Sequence, residues 1–99
     1  MSNNISKEEI HHAVEKVRHP EINRTLVELG MIKDIHIGED EVILTMAVPF
    51  LEIPIRDYLV HSVQEAIRKL GVEIEVKLTE MNQEERDAFM AMAREGWIY

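Results

Sequence analysis

Five histidines, His11, His12, His19, His36 and His61, are the side chains with which this chain would most readily hold a metal or move a proton near neutral pH. Their spacing makes no ready site. His11 and His12 are adjacent, so on a helix they diverge by about 100°, and no His-x-x-x-His or Glu-x-x-His pair has a third ligand close by. Cysteine is absent, which removes disulfides, thiolate ligands and Cys nucleophiles together. The grouped carboxylates, Glu8/Glu9, Glu39/Asp40/Glu41 and Glu84/Glu85, fall in two helix caps and one turn, where each has structural work. No Gly-x-Gly-x-x-Gly, phosphate loop or Gly-x-Ser-x-Gly is present, so nucleotide binding and acyl transfer have no residues to stand on. Catalysis by this chain is not expected. His19 and Glu21, either side of Pro20, are the remaining candidate metal ligands.

One segment stands out. Val48-Pro49-Phe50-Leu51-Glu52-Ile53-Pro54-Ile55-Arg56-Asp57 sets an apolar loop between two prolines and runs into a helix start, where free N–H groups and the helix dipole favour anions. Loops between a central strand and a helix commonly carry the sites of small α/β domains. Equally, Phe50, Leu51 and Ile53 can be read as plugs for a core beneath a rigid connector.

The elements that must position this loop follow from periodicity. Ser6-Lys7-Glu8-Glu9 forms a capping box, and Ile10, Ala13, Val14 and Val17 make one apolar stripe, predicting a helix over 7–18 ended by Pro20. The stretch 21–30 fits either a helical turn or a packed loop. From Met31 the period becomes two, with Met31, Lys33, Ile35 and Ile37 on one face and Ile32, Asp34 and His36 on the other. After the turn Gly38-Glu39-Asp40, a second strand spans Val42 to Val48, apolar enough for a central strand covered on both faces. A helix is predicted over 54–70, with Pro54 in its first turn and Gly71 past its end. Val72, Ile74, Val76 and Leu78 then alternate with Glu73, Glu75, Lys77 and Thr79 as a third strand with one dry face. A second capping box, Asn82-Gln83-Glu84-Glu85, opens a last helix that Gly96 stops, leaving Trp97-Ile98-Tyr99 trailing. Its stripe makes Phe89 and Met92 core, while Met90 and Trp97 are open between core and binding surface. The order α-β-β-α-β-α describes an α+β two-layer sandwich: a small mixed three-stranded sheet with helices packed on it, more fully on one face, and a right-handed β-α-β crossover.

Ninety-nine residues suffice for one such domain, 1–99, with residues 1–5 expected to be disordered. A charge of −8, from 19 acidic and 11 basic side chains, repels phosphate backbones and anionic lipid, which argues against nucleic acid and membrane as partners. No targeting segment and no apolar run of membrane-spanning length is seen, so a cytoplasmic location is expected. An exposed sheet edge would allow a homodimer.

Several stretches resemble the small iron–sulfur cluster assembly domain found in SufT-like and PaaD-like proteins and as the N-terminal domain of Mrp/ApbC-type P-loop ATPases. The likeness covers 7–99. His19-Pro20-Glu21 stands where that family has Asp-Pro-Glu, and Glu28-Leu29-Gly30-Met31-Ile32 where it has Asp-Leu-Gly-Leu-Ile/Val. Val48 to Pro54, followed by Ile55-Arg56-Asp57, is similar to its Thr-x-Pro-x-Cys-Pro strand end and helix. Glu84-Glu85-Arg86 to Trp97 resembles the family's connector. Ile53, however, occupies the position of the family's reactive cysteine, so that residue's cluster-ligand role does not transfer; Ala47-Val48-Pro49-Phe50 is closer to a cysteine-less branch.

The resemblance implies a non-enzymatic adaptor in iron–sulfur cluster assembly or metalloprotein maturation. It would bind a P-loop ATPase carrier, a scaffold or an apo-target through Pro49, Phe50, Glu52, Ile53, Pro54, Arg56 and Glu21. No cofactor is expected on this chain alone, a cluster being met only through the partner. The alternatives are a metal-binding protein using His19 and Glu21, and the accessory subunit of an oxygenase system that the PaaD-like likeness permits.

Overall fold

The structure is a computed structural model that describes residues 6–39 and 41–97. The expectation for residues 1–5, the turn residue Asp40 and the tail Ile98-Tyr99 fall outside them. Six elements appear in the expected order: α1 (Lys7–Glu15), β1 (Ile32–Ile37), β2 (Glu41–Val48), α2 (Arg56–Arg68), β3 (Glu73–Glu80) and α3 (Gln83–Gly96). The sheet order is β1-β2-β3, β1 antiparallel and β3 parallel to β2. The mixed sheet thus combines a hairpin with a β-α-β crossover.

Both capping boxes form. Ser6 Oγ accepts from the Glu9 N–H while Glu9 Oε1 accepts from the Ser6 N–H, and Asn82 and Glu85 reciprocate in the same way. The first helix is shorter than its apolar stripe suggests, ending at Glu15 rather than 18. Its last expected turn is taken up by the following loop: the Leu26 N–H donates to the Val17 carbonyl, and the His19 N–H to the Arg24 carbonyl. Those cross-loop bonds use groups that a helix would have needed. The ambiguous stretch 21–30 holds both readings, an irregular packed segment followed by one helical turn in which the Leu29 N–H donates to the Thr25 carbonyl, with Ile22, Leu26 and Leu29 fully buried and Gly30 at φ 75° turning the chain into β1.

A bulge between Ile32 and Asp34 changes the face assignment in β1. Ile32 lies opposite Met46 and Ile35 opposite Leu44, so Ile32 shares a face with Ile35 and Ile37, and Lys33 leaves it to pair with Glu85 of α3. The second helix starts two residues later than expected, Pro54 and Ile55 forming a turn before Arg56.

Strand β2 is central, as expected, but it is buried on one face more than the other. Val42, Leu44, Met46 and Val48 are fully buried, whereas on the opposite face only Ala47 is, Ile43 and Thr45 being half-buried. The covered face joins Ile10 and Val14 of α1 and Leu59, Val63 and Ile67 of α2 in a single core. Among the described residues no helix is long and apolar enough to cross a membrane.

Candidate functional site

Three segments meet at the end of the sheet where β2 finishes: the loop 19–22, the loop 49–55 and the second half of α3. Between them lies an open groove of about 550 Å³. Its floor is apolar, with Met31, Ile22 and Phe89 buried, and its lip carries three large exposed side chains: Phe50 at 51%, Met90 at 42% and Trp97 at 48% exposure. Exposed apolar side chains gathered at one mouth are the feature that separates a contact surface from scattered surface hydrophobes.

The loop 49–55 is held from two sides. Arg86 of α3 donates from Nε to the Pro49 carbonyl and from a terminal nitrogen to the Met81 carbonyl, each at 3.0 Å, and its guanidinium lies over the Phe50 ring, 4.7 Å from the centroid. From the α2 side, Arg56 Nη1 donates to the Leu51 carbonyl at 2.8 Å. The two prolines fix φ on either side of this strapped segment. Ile55 offers no side-chain cap to α2, whose first turn carries the exposed Asp57.

On the facing wall His19 is 5% exposed, its ring tilted against Phe89 at a centroid distance of 6.4 Å. Nδ1 accepts the Glu21 N–H at 3.0 Å, so the neutral ring carries its proton on Nε2. With Nδ1 occupied and Nε2 protonated, His19 has no lone pair free for a metal while this turn is intact. Among the described residues, no three His, Asp or Glu side chains converge on a point where a metal ion could sit.

Burial holds the His19 imidazole below its usual range, the Glu21 carboxylate pulling it partly back. In the unfolded chain it takes a proton near 6.5. Between that value and the lower folded one the unfolded state binds more protons, so the stabilisation is complete above about 6.5 and is lost as pH falls through that window. Urea unfolding of the wild type is expected to weaken over this range. His19→Asn, whose Oδ1 can take the Glu21 N–H without titrating, should flatten the slope; an unchanged slope would show that other groups set it.

The groove gathers six of the sequence candidates, His19, Glu21, Pro49, Phe50, Ile53 and Pro54. Glu52 is an exposed loop residue outside the groove lining, and Arg56 shapes the loop instead of lining it. Phe89 and Met92 are buried or half-buried, whereas Met90 and Trp97 belong to the surface. Arg86 and Arg94 were missed. The signal was available in the spacing: Arg86, Met90 and Arg94 recur at i, i+4, i+8 beside the Phe89, Ala93, Trp97 stripe, so α3 presents two adjacent working faces. The third wall also needs a glycine. A Cβ on Gly96 would come within 3.3 Å of Ile22 Cγ2, and the Gly96 carbonyl accepts the Asn23 N–H at 2.7 Å, which closes α3 onto the 19–22 loop.

Comparison with known proteins gives a family match: the model of a family described as iron–sulfur cluster assembly protein covers residues 7–78. The loops 19–22 and 49–55 lie inside that stretch and α3 beyond it. A curated relative from Synechocystis, named as an iron–sulfur cluster carrier protein, is 38% identical over 65 residues. The match takes in 64% of this chain but only 18% of the relative's length. Among solved structures, a conserved hypothetical protein from Thermotoga maritima superposes with a TM-score of 0.67 at 30% identity, over 90% of this chain and 98% of that one. A domain of unknown function from Bacillus anthracis superposes at 0.68, with 23% identity over 86% of this chain and 89% of that one, and shows the same fold.

Proposed function

The chain belongs to the iron–sulfur cluster assembly protein family, and on that premise we propose that it is a non-enzymatic, cytoplasmic accessory of cluster assembly that docks a protein partner in the groove and leaves the cluster on that partner. The observation that carries this reading is the lip of the groove: Phe50, Met90 and Trp97 are exposed together over an apolar floor, around Ile53, on a chain that has no cysteine. Thiolate is the usual ligand of an iron–sulfur cluster, and the histidine that lines the groove, His19, is engaged by the Glu21 N–H. Of the partners that the resemblance implies, a P-loop ATPase carrier, a scaffold or an apo-target, the carrier is the one taken for the test. Pre-strapped loops suit such docking, since little backbone freedom remains to be lost on binding.

Trp97 is the only tryptophan, so its emission reports on the groove directly. Titration with a purified, cluster-loaded P-loop ATPase carrier should shift that emission to the blue. Phe50→Ala should weaken the affinity by about tenfold or more, as removal of an aromatic anchor does, with a melting temperature lower by no more than a few degrees because Phe50 is half exposed. Carrier binding that ignores this substitution, or stoichiometric iron uptake by the chain without the carrier, would overturn the reading.

A further inference from the structure

Strand β3 (Glu73–Glu80) pairs with β2 on one side and with nothing on the other among the described residues. The direction of its free hydrogen-bonding groups follows from the register. Val48 lies opposite Glu80, and its carbonyl accepts the Met81 N–H. The odd-numbered residues of β3 therefore turn their N–H and C=O toward β2, and Ile74, Val76 and Leu78 turn theirs to the open edge. The other edge of the sheet, β1, is blunted by its bulge at Lys33. The β3 edge is eight residues long and has no bulge and no proline. Leu78 is 38% exposed at its end, although the sequence alternation assigns it to the dry face.

We propose that this edge is closed by a second copy of the same chain, pairing antiparallel about a two-fold axis at Val76 to give a continuous sheet of twice three strands. The side chains select both the partner and the register. Only pairings that set even residues opposite even residues join the free N–H and C=O groups. With Val76 opposite its own copy, Ile74 lies opposite Leu78 and covers it, while Glu75 lies opposite Lys77 twice, once on each side of the axis. These oppositely charged pairs fall at the non-hydrogen-bonded positions, where side chains come closest. Shifting the axis by one residue sets Glu75 against Glu75, or Lys77 against Lys77. Neither Glu75 nor Lys77 enters an ion pair within the described residues, and their neighbours across β2 are the uncharged Ile43 and Thr45. The charges are thus matched to the strand's own copy. The two grooves would lie at opposite ends of the joined sheet, leaving both open.

Sedimentation velocity over a dilution series should show a reversible monomer–dimer equilibrium, weak because one strand edge is a small interface. Lys77→Glu and Glu75→Lys each place like charges at both pair positions, and each should raise the dissociation constant by about tenfold or more. The double exchange restores opposite charges and should return the constant to near the wild-type value. Both residues are exposed, so folding is not at stake. A wild type that stays monomeric up to about millimolar concentration, where weak interfaces still associate, would overturn the proposal, as would single reversals without effect or a double variant no better than the singles.

Discussion

Replacing Leu44 by alanine is expected to cost about 3 kcal/mol of stability, within the range for a buried leucine, and to lower the melting temperature by about 10–25 °C in a chain of this size. Leu44 is fully buried on the central strand, between Ile35 of β1 and Val76 of β3, on the face that carries the core. A hydrogen-bonded ladder runs along both sides of it, so the backbone cannot close over the lost methyl groups and a cavity remains. The contrasting change is Leu78→Ala at the open end of β3, where the partly exposed side chain should cost well under half as much. Chemical denaturation of the two variants checks the pair; equal losses would mean that the sheet is covered differently from the arrangement described above. Since small domains have only about 5–15 kcal/mol in total, Leu44→Ala is also the change most apt to empty the folded state at elevated temperature.

The second large effect is expected at Arg86, and it bears on both stability and function. Its guanidinium donates to the carbonyls of Pro49 and Met81 and covers Phe50, so one side chain joins the strand-end loop, the start of α3 and the lip of the groove. Truncation to alanine leaves two carbonyls without donors, both on buried residues, at a cost of about 2 kcal/mol after allowing for water that reaches the half-buried side-chain site. Arg86→Lys should recover only a minor part, because a single ammonium cannot reproduce a planar fork aimed at two acceptors. Hydrogen exchange is the informative measurement. In Arg86→Ala the amides of 50–56 should exchange faster while those of β2 stay protected, and carrier affinity should fall with them. Uniform acceleration across the chain would assign Arg86 to global stability instead of to the loop.

Much of this architecture is legible along the chain because it depends on local rules. A capping box needs only a Ser or Asn and a Glu three residues apart, and a period of two or 3.6 survives whatever the element later packs against. The elements of the fold, their order and the central place of β2 could therefore be read directly. The errors have one physical origin, which is competition from distant partners. Val17 belongs to the apolar stripe of α1, yet its carbonyl goes to Leu26 and the helix stops at Glu15. Lys33 keeps the alternation in the sequence, yet the ladder to β2 skips it and Glu85 claims it.

The site divides along the same line. The two prolines and the apolar run of 49–55 mark a rigid, sticky loop, and the resemblance of that stretch to a cluster-assembly motif, with Ile53 in place of cysteine, points to the family; both are properties of residues close together in sequence. That His19, 30 residues before Pro49, faces the same groove is decided only by the 19–24 turn and by Gly96 letting α3 approach Ile22. Arg86 is an ordinary helix-surface arginine until α3 folds back over the end of β2. The identity of the elements and the apolar character of the loop follow from side-chain size, charge and spacing along the chain. Which surfaces meet is settled by packing, because a groove is made by segments far apart along the chain whose buried backbone groups must find their partners in one another.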